Sequence, residues 1–292
     1  MIARREFLAG AVALAGAAPI IKVAALPTGN RGFPLANRVR ELEWRSGGRL
    51  GVALIDTGSR RRFDWRGDER FPLCSTFKFL LAAHLLSRAD RGEERLDRRL
   101  PIRESRLGNS PFTKSRVGRD ASLGELCQAI IEVSDNDAAN LLLAQTGGTA
   151  AVTRFARAIG DPVFRLDRSE PALGAGVPGD PRDTTSPMAM AADFERVLLG
   201  SALHPASRAA LTGWLENAQT GVGRLKAGFP RSWRIGHKTG TGMRGSSNDV
   251  AIVWPGRRPP VILSVYLTGS RLGEAARDAV IADVARAVAA IV

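Results

Sequence analysis

Metal-ligating side chains are scarce in this chain. Its 292 residues include two cysteines and three histidines. His84, His204 and His237 are not spaced as zinc ligands are, either with one another or with Cys74 and Cys127. No metal site and no cofactor is therefore expected. Two cysteines allow at most one disulfide, and only in an exported protein. Beyond the N-terminus no apolar run approaches the length of about 20 residues that a membrane-spanning helix needs. No internal repeat is visible, and no stretch is polar and long enough to read as disorder. Lysine is rare too: five occur, although the net charge is +13, so arginine carries the positive charge. The arginines are scattered, as in Arg60-Arg61-Arg62 and Arg98-Arg99, with no helix or aromatic-interleaved stripe to gather them. That predicts a solvated basic surface and no nucleic-acid partner.

What is present is a globular composition, 44% apolar, long enough for one large domain or two lobes. Residues 1–25 differ from the rest. Arg4-Arg5-Glu6-Phe7-Leu8 is a twin-arginine pattern, an Ala/Gly-rich apolar run from Phe7 to Ile21 follows, and Val23-Ala24-Ala25 offers a cleavage site. The apolar run is short and diluted for an anchor. The expectation is a periplasmic or secreted protein, not held to a membrane once the signal is removed, with a net charge of +11 after the loss of Arg4, Arg5, Glu6 and Lys22.

A helix is predicted over 35–45, strands over 49–56 and near 62–65, then a helical block. Helices are expected from Thr76 to Ala89, from the capping box Ser122-x-x-Glu125 to about Glu132, over 136–145, 149–159, 188–199 and 206–216. Residues 161–186 form a long loop rich in Pro, Gly and Asp, a length usually kept for function. Strands return at 233–237, 250–254 and 261–267, and 273–292 closes the chain as an amphipathic helix. The order implies an α/β (α+β) fold in which an all-helical domain, 71–220, is inserted into a sheet domain made of 26–70 and 221–292. A cleft between two lobes is a natural place for a site.

Three polar motifs fall on this frame. Ser75-Thr76-Phe77-Lys78 opens an apolar helix, whose unpaired N–H groups suit an oxyanion forming beside Ser75. Lys78, one turn on, faces the same side and can take the serine proton if nearby cations such as Lys238 lower its pKa. Ser134-Asp135-Asn136 lies between two helices. Its serine can pass a proton to a leaving nitrogen, and its asparagine can hold an acylamino side chain. Lys238-Thr239-Gly240 ends a strand, where the glycine admits a substrate to the backbone and the lysine attracts a carboxylate. Each alone is also an ordinary cap or turn.

Taken in this order, SxxK, SDN and KTG resemble the penicillin-recognising serine enzymes, the class A β-lactamases and the penicillin-binding transpeptidases, for which this set is a known signature. Arg168-Ser169-Glu170-Pro171-Ala172-Leu173 and Arg182-Asp183-Thr184-Thr185 resemble the two ends of the class A omega loop, 168–183, which favours the β-lactamases. The resemblance covers 35–292. It implies a five-stranded antiparallel sheet flanked by the terminal helices, an Arg168–Asp183 ion pair, and a monomer acting on a small β-lactam substrate. It also implies roles: Ser75 as nucleophile, the N–H groups of Ser75 and Thr241 as oxyanion hole, Lys78 and Glu170 as acylation-base candidates, Glu170 as activator of the hydrolytic water, and Ser134 as proton donor to the ring nitrogen. Asn136, Lys238, Thr239, Gly240, Thr241 and Arg224 would bind substrate. A DD-peptidase-like enzyme and a non-catalytic binder that keeps the fold are the alternatives.

The chain departs from that pattern in three places. Gly174 stands where many members carry an asparagine that helps hold the water. Asn109 replaces an aromatic residue at the cleft mouth, so stacking on substrate is expected to be lost. By the resemblance, neither family disulfide is expected, because Cys127 would need a partner at Ala82 and Cys74 one at Gly242, so two free thiols are expected.

Overall fold

The computed structural model describes residues 32–292. The export signal predicted for residues 1–25 lies outside them. In chain order, α1 (Gly32–Ser46) precedes β1 (Arg49–Asp56), β2 (Arg62–Trp65) and β3 (Phe71–Pro72). The middle of the chain holds α2 (Phe77–Asp90), β4 (Arg99–Pro101), α3 (Pro111–Ser115), β5 (Asp120–Ser122), α4 (Leu123–Glu132), α5 (Asn136–Gln145) and α6 (Gly148–Ala158). There follow β6 (Thr184–Thr185), α7 (Pro187–Leu198), α8 (Pro205–Glu216) and α9 (Leu225–Gly228). The chain closes with β7 (Arg234–Gly242), β8 (Ser246–Trp254), β9 (Val261–Thr268) and α10 (Glu274–Ala289).

The five long strands form one sheet in the order β2-β1-β9-β8-β7, every pair antiparallel. Both faces are covered. Ala53, Ile55, Val250, Ile252 and Ile262 point into a core shared with α2, α4, α7 and α8. Their neighbours Val52, Leu54, Ala251, Val253 and Leu263 point the other way, toward α1 and α10. Side chains alternate between faces along a strand, so two buried faces require apolar residues at nearly every position. That is why β1 and β9 were legible as continuous apolar runs.

Local signals hold at α4. The Ser122 hydroxyl accepts from the Glu125 N–H (3.1 Å) and the Glu125 carboxylate accepts from the Ser122 N–H (2.8 Å), closing the capping box.

Three features differ from the sequence reading. β7 runs on through Lys238-Thr239-Gly240 to Gly242, and β8 begins at Ser246 instead of near Val250. The intervening Ser246, Ser247, Asn248 and Asp249 are all fully buried, so the polar half of this hairpin is invisible to apolar periodicity. The loop 161–186 is not structureless: Ala172–Ala175 is a 3-10 turn, and β6 pairs with β3 through Phe71–Thr185 and Pro72–Thr184. α1 also starts earlier than predicted, at Gly32.

Candidate active site

The turn carrying Ser75 is fixed from several sides. Cys74 has φ 45°, which swings the chain from β3 into the 3-10 segment Cys74–Thr76 and so into α2. Leu73 donates its N–H to Asp183 O (2.8 Å), and Asn248 Nδ2 donates to Pro72 O and Leu73 O (2.9 and 3.2 Å). Gly240 is needed for this packing: a Cβ there would meet Cys74 Cβ at 3.0 Å and Leu73 O at 3.1 Å. The glycine of the third motif therefore makes room for the turn that carries Ser75.

Around Ser75 the three motifs converge. Lys78 Nζ lies 3.0 Å from Ser75 Oγ, and it donates to Ser134 O (2.7 Å) and Asn136 Oδ1 (2.5 Å). Ser134 Oγ sits between the two lysines, 3.3 Å from Lys78 Nζ and 3.0 Å from Lys238 Nζ. Glu170 Oε1 is 3.4 Å from both Ser75 Oγ and Lys78 Nζ. The side chains of both lysines are fully buried. Burial is the main cause that lowers the Lys78 pKa to about 8, and the nearby Glu170 opposes it. Burial likewise holds the Lys238 ammonium well below its ordinary value, with the Lys78 charge adding to the effect. The sequence expectation looked to neighbouring cations; for Lys78, desolvation alone lowers the pKa, and the charged neighbours that act on it, Glu170 and Asp135, raise it.

Ser134 is held in a left-handed conformation, φ 56°. Asp135 beside it is an N-cap of α5, accepting from the Ala138 N–H (2.8 Å), and it also accepts from Thr113 N–H and Oγ1 (2.9 and 2.5 Å). These bonds aim Ser134 into the cleft.

Glu170 stands on a loop closed by ionic and backbone bonds. Asp183, 1% exposed, accepts from the Asp167 and Arg168 N–H groups (2.7 and 2.8 Å) and from Arg168 Nε (2.5 Å), as the motif resemblance implied. Asn140 then clamps Glu170 twice, donating to Glu170 O (3.0 Å) and accepting from the Glu170 N–H (3.1 Å). Sequence reasoning missed Asn140. Its signal was spacing, since it lies four residues after Asn136 on the same helix face. The far side of the loop is tied to the sheet by the Met243 N–H donating to Gly174 O (2.9 Å). No atom lies within 4 Å of a Cβ added at Gly174.

On the opposite wall, Arg224 is 2% exposed. It donates to Gly240 O (2.9 Å), Asn248 O (3.0 Å), Thr241 Oγ1 (2.7 Å) and Asp278 Oδ1 (2.7 Å). Thr239 and Thr220 share a hydroxyl bond of 2.6 Å. Arg224, Thr239 and Thr241 line one cavity of about 410 Å³ with Ser75, Ser134, Asn136 and Glu170. Asn109 lines it too, and it is occupied: its side-chain Nδ2 donates to Ser134 O (2.9 Å) while its backbone carbonyl accepts from the Asn136 N–H (2.8 Å). Where stacking was expected to be lost, a strut under the second motif is found. A larger hollow of about 610 Å³ opens behind the loop beside Arg168 and Ser169, and it contains none of the Ser75 cluster.

Cys74 and Cys127 are buried free thiols, and burial pushes both up to about 12. Among the described residues no group of three or more His, Cys, Asp or Glu is placed to hold a metal ion.

A serine hydroxyl, two buried amines and a carboxylate thus meet between a helical layer and an antiparallel sheet, the set of groups that a serine hydrolase uses. Comparison with known proteins agrees. The profile of the β-lactamase enzyme family matches residues 34–292. β-Lactamase L2 of Stenotrophomonas maltophilia is 44% identical, over 98% of this chain and 98% of its own length. β-Lactamase CTX-M-8 of Citrobacter amalonaticus is 45% identical, over 88% of this chain and 90% of its own. Among solved structures, the class A β-lactamase of the last common ancestor of Gram-negative bacteria matches with a TM-score of 0.86 at 56% identity, covering 88% of this chain and 98% of that one. The chain belongs to the β-lactamase enzyme family, and within it to class A.

Proposed function

We propose that this protein hydrolyses the amide of penicillins and cephalosporins through an ester on Ser75, and so confers resistance to them. The observation that carries the reading is Glu170 Oε1 at 3.4 Å from Ser75 Oγ, close enough for one water beside them to bond to both and attack the acyl group.

In acylation the Ser75 proton passes to Lys78. Two hydrogens of Nζ are committed to Ser134 O and Asn136 Oδ1, so in the neutral amine the lone pair faces Ser75 Oγ. With a pKa of about 8, about a tenth of the amine is neutral at pH 7. As the tetrahedral centre forms, the N–H groups of Ser75 and Thr241 hold its oxyanion. The C–N bond then breaks, Ser134 gives its proton to the ring nitrogen, and Lys78 returns one to Ser134. Lys238, Thr239, Thr241 and Arg224 hold the substrate carboxylate, which restores the Lys238 charge that burial disfavours. Gly240 leaves room for the substrate backbone, and Asn136 holds the acylamino group. In deacylation Glu170 takes a proton from the water as its oxygen bonds to the acyl carbon. The departing Ser75 Oγ recovers that proton, and the ring-opened acid leaves.

Glu170→Gln tests the reading. The expected result is a covalent adduct on Ser75 that persists in intact-mass spectra while the wild type clears within one turnover. A wild type that also stays acylated would assign the protein to the DD-peptidase-like alternative, and no adduct in either would leave a binder. The twin-arginine pattern and the relatives' class support export, so the mature enzyme is assigned to the periplasm or the medium. Cell fractionation with Arg4→Lys/Arg5→Lys should strand the activity in the cytoplasm.

A further inference from the structure

The arginines that look scattered in the sequence are gathered at one end of the sheet. Pairing sets Asp56 opposite Val261, Ile55 opposite Arg62 and Arg234 opposite Trp254, so the turn 57–61, the turn 255–260 and the start of β7 share an end. The two turns are bonded together, since Thr57 donates to Pro260 O through both N–H (3.3 Å) and Oγ1 (2.6 Å). Arg60 and Arg61 stand on the first turn with Arg62 at the start of β2, Arg257 and Arg258 on the second turn, and Arg231 and Arg234 just before and at the start of β7, all exposed. Three carboxylates answer them: Glu195 to Arg62 (3.3 Å), Asp56 to Arg258 (3.8 Å) and Glu216 to Arg234 (3.0 Å). Among the described residues, Arg60, Arg61, Arg231 and Arg257 have no carboxylate within 4.0 Å. Four strand spacings make this a row about 19 Å long. Two half-buried indoles lie within it, Trp254 under the Arg234 guanidinium at 3.9 Å and Trp233 stacked on Phe229.

We infer that this sheet end docks the protein on an anionic phospholipid bilayer. The excess of unpaired guanidiniums fits a plane of phosphates, and indoles with one face apolar settle at the headgroup level. Duplex nucleic acid fits less well, because the face offers turns and no protruding helix or ribbon for a groove. No described helix is long and apolar enough to cross a membrane; attachment through guanidiniums is screened by salt. Thr241 lies seven residues along β7 from Arg234, about 23 Å away, so the cleft stays open to substrate. The encounter with an envelope leaflet rests on the export reading; the affinity does not.

The test uses the mature protein and sedimentation with vesicles of phosphatidylglycerol and phosphatidylcholine. Binding is expected at low salt, with loss at high salt and on pure phosphatidylcholine. Each basic residue near an anionic surface strengthens binding about fivefold, so Arg60→Gln/Arg61→Gln/Arg231→Gln/Arg257→Gln should weaken it more than about 100-fold. Hydrolysis of a chromogenic cephalosporin and the unfolding midpoint should stay unchanged, which shows the variant folded. A control with the same net charge, Arg95→Gln/Arg103→Gln/Arg119→Gln/Arg154→Gln, removes exposed arginines elsewhere and should bind as the wild type does. Equal loss in the control, salt-insensitive binding to neutral vesicles, preference for a duplex oligonucleotide, or no vesicle binding each overturns the inference. Failure of export would appear separately, as active enzyme retained in the cytoplasm.

Discussion

Replacing Asp183 asks whether the loop bearing Glu170 can be loosened without disturbing Ser75. The Asp183 carboxylate, 1% exposed, ties Asp167 N–H, Arg168 N–H and Arg168 Nε together. In Asp183→Asn the amide oxygen can still accept both backbone bonds, but its NH₂ then faces a guanidinium. One charge-assisted bond is lost and two donors are opposed, a cost of about 2–3 kcal/mol. Asp183→Ala forfeits all three bonds and leaves a partly buried guanidinium without that partner; the cost rises to about 3–5 kcal/mol. Urea unfolding should order the three proteins as wild type, Asn, Ala. Kinetics should separate the steps. Ser75 lies on the 3-10 turn before α2, Lys78 on α2 and Ser134 before α5, whereas Glu170 sits on the loop, so deacylation should slow more than acylation. The stopped-flow burst with a penicillin should therefore grow while its acylation rate changes little. Equal slowing of both steps, or unchanged stability in Asp183→Ala, would refute the assignment of the loop as a separable deacylation element.

Gly174→Asn should raise the single-turnover deacylation rate with good penicillins by about fivefold, the worth of one hydrogen bond to the water, because the site has room for the side chain; an equal or lower rate counts against it. The penicillin acylation rate should climb roughly fivefold from pH 7 to pH 8 and level off above pH 9, following the neutral fraction of Lys78, whose pKa is about 8. A profile flat across that range would take the proton away from Lys78. Asp193 is buried with Oδ2 unpartnered, and burial raises its pKa well above the ordinary carboxylate value. A carboxyl raised in the fold contributes stability below its unfolded pKa and loses it as pH rises through the folded one. Asp193→Asn should then melt about 2–6 °C higher than wild type at pH 7, with the gain shrinking toward pH 4 in calorimetry; a lower melting point at pH 7 would be the contrary result.

The legible parts of this protein were those set by short-range chemistry. β1 and β9 announce themselves because strands buried on both faces must be apolar throughout, and α4 because its capping box is local. The buried polar end of the β7–β8 hairpin was not legible. Asn248 and Asp249 face inward to serve Pro72, Leu73, Leu225 and His237, partners distant in sequence. A polar residue satisfied at long range looks, in sequence, like a surface one.

The same division runs through the site. Short motifs were enough to mark the groups proposed to react: Ser75, Lys78, Ser134, Glu170 and Lys238 each lie in one, since such chemistry admits few residue types at those places. Tertiary structure alone decided how they are held and tuned. Asn140 clamps Glu170, Asn109 and Thr113 steady the Ser134 turn, and Arg224 is bonded into the wall by Asp278 and two carbonyls. Complete burial, and no neighbouring cation, brings Lys78 to about 8. It also took the sheet to draw three separate arginine pairs and runs into one row. Distances between residues far apart in the chain are set by packing, and neither composition nor spacing encodes them.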